Sequence, residues 1–475
     1  MDSSMSTTDG SRTLVSAETI ERFRGSVAGS ILAPGAPGYD DARAVWNAMI
    51  DRRPGLIVRC ASAADVAQAV RFAREHDLVV AVRGGGHNIA GNAVCDGGLV
   101  IDLSQMRSVR IDAARRSARV GGGATLGDFD REAQGHGLAT PLGINSTTGV
   151  AGLTLGGGFG WLSRRQGLTI DNLLSAEIVT AGGDVTRASA SEQPDLFWAI
   201  RGGGGNFGVV TSFDFRLHRV GPEVLAGMVV HPLAAARDVL RFYRDFLPTT
   251  PESLACWFVL RKAPPLPILS PGWHGKEVLA LAMSWSGDLG EGARVLAQLR
   301  GFGRPLADVV APQPFAGWQT ILDPLLTPGM RNYWKSHDFR ELSDGLIDVL
   351  AEYAARLPDP QCEIAFAQLG GAVSRVPVEA TAYGHRDAEY VLNVHGRWAD
   401  PAKDGECIGW ARELFRAAGQ FATGGVYVNF LTQEEGDRVR AAYGSNYDRL
   451  AQLKNRYDPT NLFRVNQNIR PAAYA

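Results

Sequence analysis

A histidine that directly follows three glycines is the residue best placed for chemistry in this chain. The segment Arg83-Gly84-Gly85-Gly86-His87-Asn88 comes after an apolar run, Leu78–Val82, that predicts a buried strand. Because glycine has no Cβ, such a loop lets the backbone approach a ligand closely. Successive N–H groups in the loop can form a concave anion site for a pyrophosphate. The segment therefore predicts a cofactor loop with a reactive imidazole against the bound group.

Three more glycine clusters occur at Gly121–Gly123, Gly156–Gly160 and Gly202–Gly205. A Rossmann dinucleotide site needs a glycine motif that opens a helix directly after a strand. The residues after Gly86 predict no helix, so a nicotinamide-dependent Rossmann enzyme fits worst. Several separate loops favour a long cofactor bound along extended backbone. Gly121–Gly123 also fits a simple tight turn.

Apolar periodicity predicts the elements that position these loops. The expected strands are Leu56–Arg59, Leu99–Leu103, Val109–Asp112, Ala118–Val120, Ser175–Thr180, Asp184–Ala188 and Val209–Leu217. The expected helices are Ala63–His76, Thr125–Gln134 and, in the tail, Tyr447–Arg456. After Val220 the glycine clusters stop and amphipathic helices alternate with strands, while Ala263–Pro271 and Ala311–Pro314 predict loops. His76 at a helix end and His136 in a turn fit structural roles.

Composition excludes several classes of protein. The 475 residues carry a net charge of −2 and 45% hydrophobic residues, which gives no reason to expect nucleic acid or an anionic membrane as partner. The chain has five cysteines, an odd number, which are widely spaced and form no C-x-x-C motif. This pattern predicts reduced thiols and no metal site. A polar start, Met1–Arg12, and the lack of a membrane-length apolar run predict a cytoplasmic protein with a frayed N-terminus.

The ordered motifs resemble a known family. They are Val82–Asn88, Gly149–Gly160, Asp195–Val210, Asn446–Leu450, Tyr457–Phe463 and Asn466–Ile469. This set is similar to the FAD-linked oxidases of the vanillyl-alcohol-oxidase superfamily, in the berberine-bridge-enzyme-like branch, and within it to the bacterial subgroup that includes hydroxynicotine oxidase. The resemblance covers nearly the whole chain, and a set of this length and order is specific.

The resemblance implies an α+β fold in three parts. Residues 1–222, with a core at about 50–222, would form a PCMH-type FAD-binding domain of two α/β subdomains. Residues 223–425 would form a substrate domain, an antiparallel sheet covered by helices. Residues 426–475 would be a berberine-bridge-like segment that returns to the FAD domain.

The resemblance also implies that FAD is bound covalently through His87. Many relatives add a cysteinyl bond, but the matching position here is Asn145, and Leu153 replaces a histidine of many doubly linked members. No cysteinyl bond is therefore expected. A bond to an electron-withdrawing imidazole should make the flavin a better oxidant and fix its position. The other cofactor contacts implied are Arg83, Gly84, Gly85, Gly86, Asn88, Gly91, Asn145, Thr147, Thr148, Gly149, Gly152, Gly156, Gly160, Gly208, Val210, Asn466 and Asn468.

Three residues are expected on the substrate side. The segment Asn332–Phe339 resembles one in hydroxynicotine-oxidase-like members whose lysine, here Lys335, lies near the flavin. Asn393 stands roughly where plant members have a glutamate base, and asparagine cannot accept a proton. Val426–Phe430 resembles a family strand that lines the site, which makes Tyr427 and Asn429 candidates for the pocket. His395 would be tunable near neutral pH but is not marked by the family match, and Tyr383 and His385 fit a structural turn.

These expectations together predict an FAD-dependent oxidase. It would take a hydride from a C–H next to O or N of a small molecule and reduce O2 to H2O2. An oxygenase or oxidative cyclase of secondary metabolism, and a dehydrogenase with another acceptor, stay open as alternatives. A non-enzymatic flavin-binding protein fits less well. The expected assembly is a monomer or weak homodimer, and the substrates of such a family range over sugars, alkaloids and polyketides.

Overall fold

The computed structural model describes residues 2–472, and its first 222 residues alternate strands with helices. The strands are β1 (Ser3–Ser6), β2 (Arg12–Val15), β3 (Ser30–Leu32), β4 (Leu56–Arg59), β5 (Val80–Arg83), β6 (Leu99–Asp102), β7 (Val109–Asp112), β8 (Ser117–Gly121), β9 (Leu138–Ala139), β10 (Leu173–Val179), β11 (Val185–Ser189), β12 (Val209–Arg216) and β13 (His218–Arg219). The helices are α1 (Ala17–Arg24), α2 (Tyr39–Arg43), α3 (Ala63–Glu75), α4 (Leu126–Gln134), α5 (Val150–Leu155), α6 (Ser163–Gln166) and α7 (Pro194–Ala199).

Two sheets organise this region. In the first, of order β3-β4-β6-β5, the strands β4, β6 and β5 are parallel. Helix α3 connects β4 to β5 because Ser62 caps its start, accepting from the Asp65 N–H, and an apolar face that includes Val66 and Val70 packs in the core. The second sheet is antiparallel, of order β11-β10-β12-β8-β7. Since β5 ends at Arg83, the glycine loop lies at the carboxyl edge of parallel strands, where α/β sheets bind ligands.

A second region contains one large antiparallel sheet. Its strands are β14 (Glu223–Pro232), β15 (Leu254–Lys262), β16 (Glu277–Trp285), β17 (Ala307–Asp308), β18 (Ala311–Pro314), β19 (Arg331–Phe339), β20 (Glu363–Gln368) and β21 (Tyr390–Trp398), in the order β17-β14-β16-β15-β20-β21-β19 with β18 also on β14. Its helices are α8 (Ala236–Phe246), α9 (Leu289–Gly301), α10 (Phe315–Gln319), α11 (Asp344–Ala354), α12 (Ala372–Arg375) and α13 (Asp404–Ala418).

The alternation of side chains gives this sheet two different faces. One face packs against α8, α9, α11 and α13 in a single apolar core. The other face, which includes Trp257, Ala367 and Val391, packs with Phe159 and Trp161 of the first region. The mixed fold of two α/β subdomains and a helix-covered antiparallel sheet therefore matches the expected class.

The C-terminal segment returns to the first region. It contains α14 (Val439–Tyr443) and α15 (Tyr447–Tyr457), whose apolar residues join the core around β8, β10 and β12. Lys454 joins this segment to the first region. Its buried Nζ donates to the Asn206 and Phe463 carbonyls at 2.7 and 2.9 Å and pairs with Asp458 at 2.7 Å. Each donor of this buried ammonium is thus engaged.

Two expectations about local structure are wrong. The start of the chain is not frayed within the described residues, because β1 pairs with β2 and Met5 is fully buried. Residues Ala311–Pro314 form the edge strand β18 instead of a loop. Proline is tolerated there because an edge strand leaves one row of N–H positions unpaired.

The described residues contain five free, buried cysteines. Across residues 2–472 no helix has the length and apolarity needed to cross a bilayer. The same residues hold no cluster of three or more metal-ligating side chains of the His, Cys, Asp and Glu types.

Candidate active site

A cavity of about 790 Å³ lies between the two regions. On one side it is lined by the glycine loop after β5, the segment before α5, the start of β12 and residues 463, 465, 466 and 467. On the other side it is lined by the face of the large sheet that lies opposite its helices, from β14 to β21. Sites between two structural units are common places for cofactor and substrate to meet.

His87 projects from the glycine loop into this cavity. Its Nε2 lies 2.8 Å from Thr147 Oγ1, and the Trp46 ring stacks on the imidazole at 5.1 Å between centroids. Desolvation lowers the pKa of His87 to about 4, so the ring is neutral at neutral pH. Within residues 2–472, Nδ1 has no hydrogen-bonding partner. The structure therefore presents a neutral imidazole with one nitrogen held and the other free.

The loops around His87 approach each other too closely for side chains. A Cβ on Gly85 would lie 2.4 Å from the Gly149 nitrogen, so both residues must be glycine for the loops to meet. The cavity also reaches Gly204 and Asn466, whose buried Oδ1 has no partner in the described residues. A bare backbone cradle and an unpaired amide oxygen fit a long dinucleotide cofactor such as FAD.

Most of the predicted site residues line this cavity. Those that do are Gly84, Gly85, Gly86, His87, Asn88, Asn145, Thr148, Gly149, Gly152, Gly208, Val210, Asn393, Tyr427 and Asn466. Those outside the lining are Arg83, Gly91, Thr147, Gly156, Gly160, Lys335 and Asn468.

Several of the residues outside the lining shape its walls. Thr147 holds His87, as described above. The Arg83 guanidinium donates to the Ala42 carbonyl, and a Cβ on Gly91 would lie 2.7 Å from the Ile50 side chain. These contacts support the loop instead of facing the cavity. The tight-turn interpretation of Gly121–Gly123 also agrees with the lining, which does not include that cluster.

Lys335 requires a correction. Alternation along β19 places Trp334 on the cavity face and therefore Lys335 on the opposite face, toward the helices. There its Nζ lies 2.7 Å from Glu434 Oε1 and 3.3 Å from Glu435 Oε2. The expectation that this ammonium lies near the flavin does not agree with that position.

Tyr427 places a phenol in the cavity. Its oxygen accepts from the Gly158 N–H at 3.1 Å and from Asn429 Nδ2 at 2.9 Å, and burial raises its pKa to about 12. Because both bonds are accepted, the hydroxyl proton remains available to a ligand. Tyr427 does not lie on a strand as expected. It precedes the short 3-10 helix Val428–Phe430.

Asn393 and His395 lie on the cavity face of β21. The buried Oδ1 of Asn393 has no partner in the described residues. His395 Nδ1 lies 3.1 Å from Glu363 Oε1 and its Nε2 lies 3.2 Å from Asn332 Oδ1, so neither nitrogen is open to a substrate. Burial lowers the pKa of His395, against the opposing effect of the Glu363 carboxylate.

Glu363 is held by a second partner. Its Oε2 lies 2.7 Å from Arg261 Nη1. Although burial opposes ionisation, Arg261 and His395 lower the pKa of Glu363 to about 2. This carboxylate is therefore ionised and paired, which makes it a poor proton acceptor.

Sequence patterns missed the aromatic residues of the site. Trp46, Trp161, Trp257 and Trp318 all line the cavity. Trp257 could have been placed, because alternation along β15 puts it on the same face as Arg261. The other three come from loops and short helices with no periodicity to show which way they face.

Comparisons with known proteins identify the family to which this chain is similar. The family model "FAD binding domain" matches residues 54–189, and "Berberine and berberine like" matches residues 426–470. The (R)-6-hydroxynicotine oxidase of Paenarthrobacter nicotinovorans is 34% identical over 462 residues, covering 94% of this chain and 97% of its own. An FAD-linked oxidoreductase of Dictyostelium discoideum is 31% identical over 460 residues, covering 96% and 97%.

Solved structures show the same likeness. The crystal structure of 6-hydroxy-D-nicotine oxidase from Arthrobacter nicotinovorans has a TM-score of 0.85 and 32% identity, covering 94% of this chain and 98% of that one. BBE-like 1 of Physcomitrella patens has a TM-score of 0.83 at 24% identity, covering 94% and 97%, and supports the fold. The chain therefore belongs to the berberine-bridge-enzyme-like FAD-linked oxidoreductases, as an enzyme related to the bacterial subgroup with hydroxynicotine oxidase.

Proposed function

We propose that this protein is an FAD-dependent oxidase that takes a hydride from a C–H next to O or N of a small organic substrate and reduces O2 to H2O2. The observation that carries the proposal is the position of His87, which faces a cavity shared by the glycine loops and the large sheet. FAD, when bound there, supplies the hydride acceptor and the route of electrons to O2.

We infer that His87 anchors the cofactor through its free Nδ1 and that no cysteine adds a second bond. Thr147 and Trp46 support this role because they hold the imidazole by Nε2 and by its face. The lining that would hold the rest of the cofactor includes Gly85, Gly149 and Asn466. Asn145 lines the cavity where relatives have the second anchor, and an amide cannot form that bond.

The protein's own groups suit a substrate that needs no carboxylate base. Asn393 cannot accept a proton, His395 has both nitrogens engaged, and Glu363 is paired with Arg261. Tyr427 can donate a hydrogen bond to the oxygen or nitrogen beside the reacting carbon. We propose that the Tyr427 hydroxyl orients the substrate by this hydrogen bond. The proton that the substrate loses during oxidation is released to water.

The covalent assignment is tested by acid precipitation. Wild-type protein should give a yellow pellet, and His87→Ala a colourless one, because the anchor is removed. His136→Ala, at an exposed turn, is the matched control and should stay yellow. Thr147→Val should slow flavin attachment, and Thr147→Ser should restore it. A yellow pellet from His87→Ala would show that another residue carries the flavin.

The reaction class is tested on reduced enzyme. Stopped-flow mixing with air-saturated buffer should reoxidise the flavin rapidly and release one H2O2 per flavin. Slow reoxidation by O2 with rapid reoxidation by an artificial acceptor would indicate a dehydrogenase. Transfer of labelled oxygen from O2 into the product would indicate an oxygenase.

We also propose a cytoplasmic location and a monomer or weak homodimer. Gel filtration can test the proposed assembly state.

A further inference from the structure

A continuous aromatic wall runs along the substrate side of the cavity. From Tyr427 it passes to Phe159 at 4.8 Å between ring centroids, to Trp257 at 5.8 Å, to Trp161 at 4.5 Å and to Trp318 at 5.0 Å. All five residues line the cavity. The wall is several rings long, so one small ring would cover only part of it.

Four exposed apolar side chains form a mouth of the cavity, and one of them, Ile321, adjoins the wall because its N–H donates to the Trp318 carbonyl at 3.2 Å. Ile321, which follows Trp318 closely in the chain, is 42% exposed, and Leu266, Ile268 and Val309 are 36, 37 and 39% exposed. All four line the cavity. Among residues 2–472, seven large apolar side chains are exposed, and the other three are Leu14, Leu174 and Val185. Exposed apolar residues are thus concentrated where the cavity opens, as at a binding site for an apolar ligand.

The cavity offers no free charge. The charged side chains in its lining are Arg261 and Glu363, which pair with each other at 2.7 Å. A charged substrate on the large-sheet side would lose its hydration without gaining a counter-ion, whereas the FAD pyrophosphate would meet the backbone N–H groups of the glycine loops on the other side. The indole N–H groups of Trp161, Trp257 and Trp318 have no partner in the described residues and could donate to a few ligand atoms. Because an indole N–H only donates, the wall beyond Tyr427 offers no acceptor for the many hydroxyl protons of an oligosaccharide.

We propose that the substrate is an uncharged, fused-ring aromatic compound with one oxidisable C–H next to oxygen or nitrogen. The reacting end would lie by Tyr427, the rings along the wall, and the far end under Leu266, Ile268 and Ile321. The inference rests on the proposed function and narrows it to one class of substrate. For an alcohol of this class, the carbon loses a hydride to FAD and the hydroxyl loses a proton to water, giving an aldehyde, while O2 becomes H2O2.

Binding is tested with a ligand that cannot be oxidised. The probe is 9-anthracenecarboxamide, titrated into the holoenzyme and followed by the flavin difference spectrum. Three comparisons isolate the features proposed: 9-anthracenecarboxylate adds a charge, benzamide removes two rings, and xylobiose replaces rings by hydroxyls. We expect the carboxamide to bind at least about tenfold more tightly than each of the three. Equal or tighter binding of the carboxylate or of xylobiose would overturn the inference.

The mouth is tested by surface substitutions. The triple variant Leu266→Ser, Ile268→Ser, Ile321→Ser should raise the Kd of the carboxamide about tenfold, because apolar area is no longer covered on binding. Leu14→Ser with Leu174→Ser removes exposed leucines that are not part of the cavity lining and should leave the Kd unchanged. An unchanged Kd in the triple variant would contradict a ligand that reaches the mouth.

Turnover separates this inference from the proposed function. Peroxide release from 9-anthracenemethanol should exceed that from benzyl alcohol in kcat/KM by at least about tenfold. Carboxamide binding without any peroxide from the alcohol would support the ligand class and contradict the oxidase. Peroxide from benzyl alcohol or xylobiose without carboxamide binding would support the oxidase and overturn the ligand class.

Discussion

Tyr427 presents a neutral phenol to the cavity at assay pH, since burial raises its pKa to about 12. Its proton is free for the substrate because the Gly158 and Asn429 bonds are both accepted. We expect Tyr427→Phe to lower kcat/KM about tenfold, equivalent to one hydrogen bond of about 1.4 kcal/mol. Peroxide release at several pH values measures this. A wild-type rate that rises between about pH 7 and pH 10, with no rise in the variant, would instead mark Tyr427 as a base.

Asp338 is a second residue with an unusual environment. Both carboxyl oxygens are buried without a partner in the described residues, and burial raises the pKa from 3.8 to about 6, against smaller effects of His385 and Arg438. The neutral form is favoured in the folded state. The neutral Asp338 carboxyl therefore contributes fully to the free energy of unfolding below pH 3.8, and this contribution is lost as the pH rises through about 6.

Replacing Asp338 should therefore stabilise the protein at high pH. We expect Asp338→Asn to raise the free energy of unfolding by about 2–3 kcal/mol at about pH 8 and to change it little at about pH 4. Thermal melts at both pH values measure the effect. Asp387→Asn is the matched control: its hydrogen bonds with Arg340 lower the pKa of Asp387, so it should give no gain. An equal gain at both pH values would mean that ionisation is not the cause.

Side-chain direction limited what sequence could establish for single residues. His87 and its glycines were identified from local pattern, because a cofactor loop is contiguous in sequence. The expectation for Lys335 rests on the resemblance alone, and a match in a short motif does not show which face of β19 the side chain takes. Its neighbour Trp334 faces the cavity, and consecutive residues of a strand point to opposite faces of the sheet.

Among the contacts between elements, the one between the β5 loop and the start of α5 leaves the least room for a side chain. Gly85→Ala would place a Cβ 2.4 Å from the Gly149 backbone nitrogen and should force the two loops apart. We expect a large loss of bound flavin, measured by the ratio of absorbance at flavin and protein wavelengths. Gly409→Ala on α13, where a Cβ meets nothing within 4 Å, should retain full flavin. Full flavin content in Gly85→Ala would show that the loops can separate without loss of the site.

Element types followed from sequence where periodicity was long. The helix α3 and the strands β4, β7 and β12 lie close to their expected positions. Two short segments were misjudged for different reasons. The prolines of β18 suggest a loop but are accepted at a sheet edge, whereas residues 426–430 alternate like a strand yet pack on Phe159 and turn instead.

At the scale of the whole molecule, the site depends on segments that are distant in sequence. The wall joins Trp161, Trp257 and Trp318, and Trp46 reaches the Leu326 carbonyl through its indole nitrogen at 3.0 Å. No local pattern encodes such pairings, because they are fixed by how the large sheet docks on the first region. The sequence could therefore predict residues on the glycine-loop side of the cavity far better than those on the large-sheet side.

The C-terminal segment is joined to the large sheet by an ionic cluster centred on Lys335, in which Lys335 and Glu435 are buried while Glu434 and Arg412 are partly exposed. Its ammonium pairs with Glu434 and Glu435, which also bind Arg412 and Arg438 respectively. Although burial opposes ionisation, hydrogen bonds from Lys335, Tyr333 and Arg412 lower the pKa of Glu434 to about 2. Glu434 is therefore ionised over the ordinary pH range and keeps its pairs with Lys335 and Arg412 there.

Lys335→Met tests whether this lysine is structural or acts at the flavin. We expect the free energy of unfolding to fall by about 2–3 kcal/mol, less than for a fully unpaired buried charge because Arg412 and Arg438 remain. The value of kcat per bound flavin should be unchanged, since the ammonium lies on the face away from the cavity. Lys403→Met removes a more exposed pair with Asp359 and should lower the free energy of unfolding much less than Lys335→Met does. A fall in kcat per flavin at unchanged stability would show that Lys335 acts at the flavin. It would also mean that the Lys335 face of β19, and not the Trp334 face, lines the cavity.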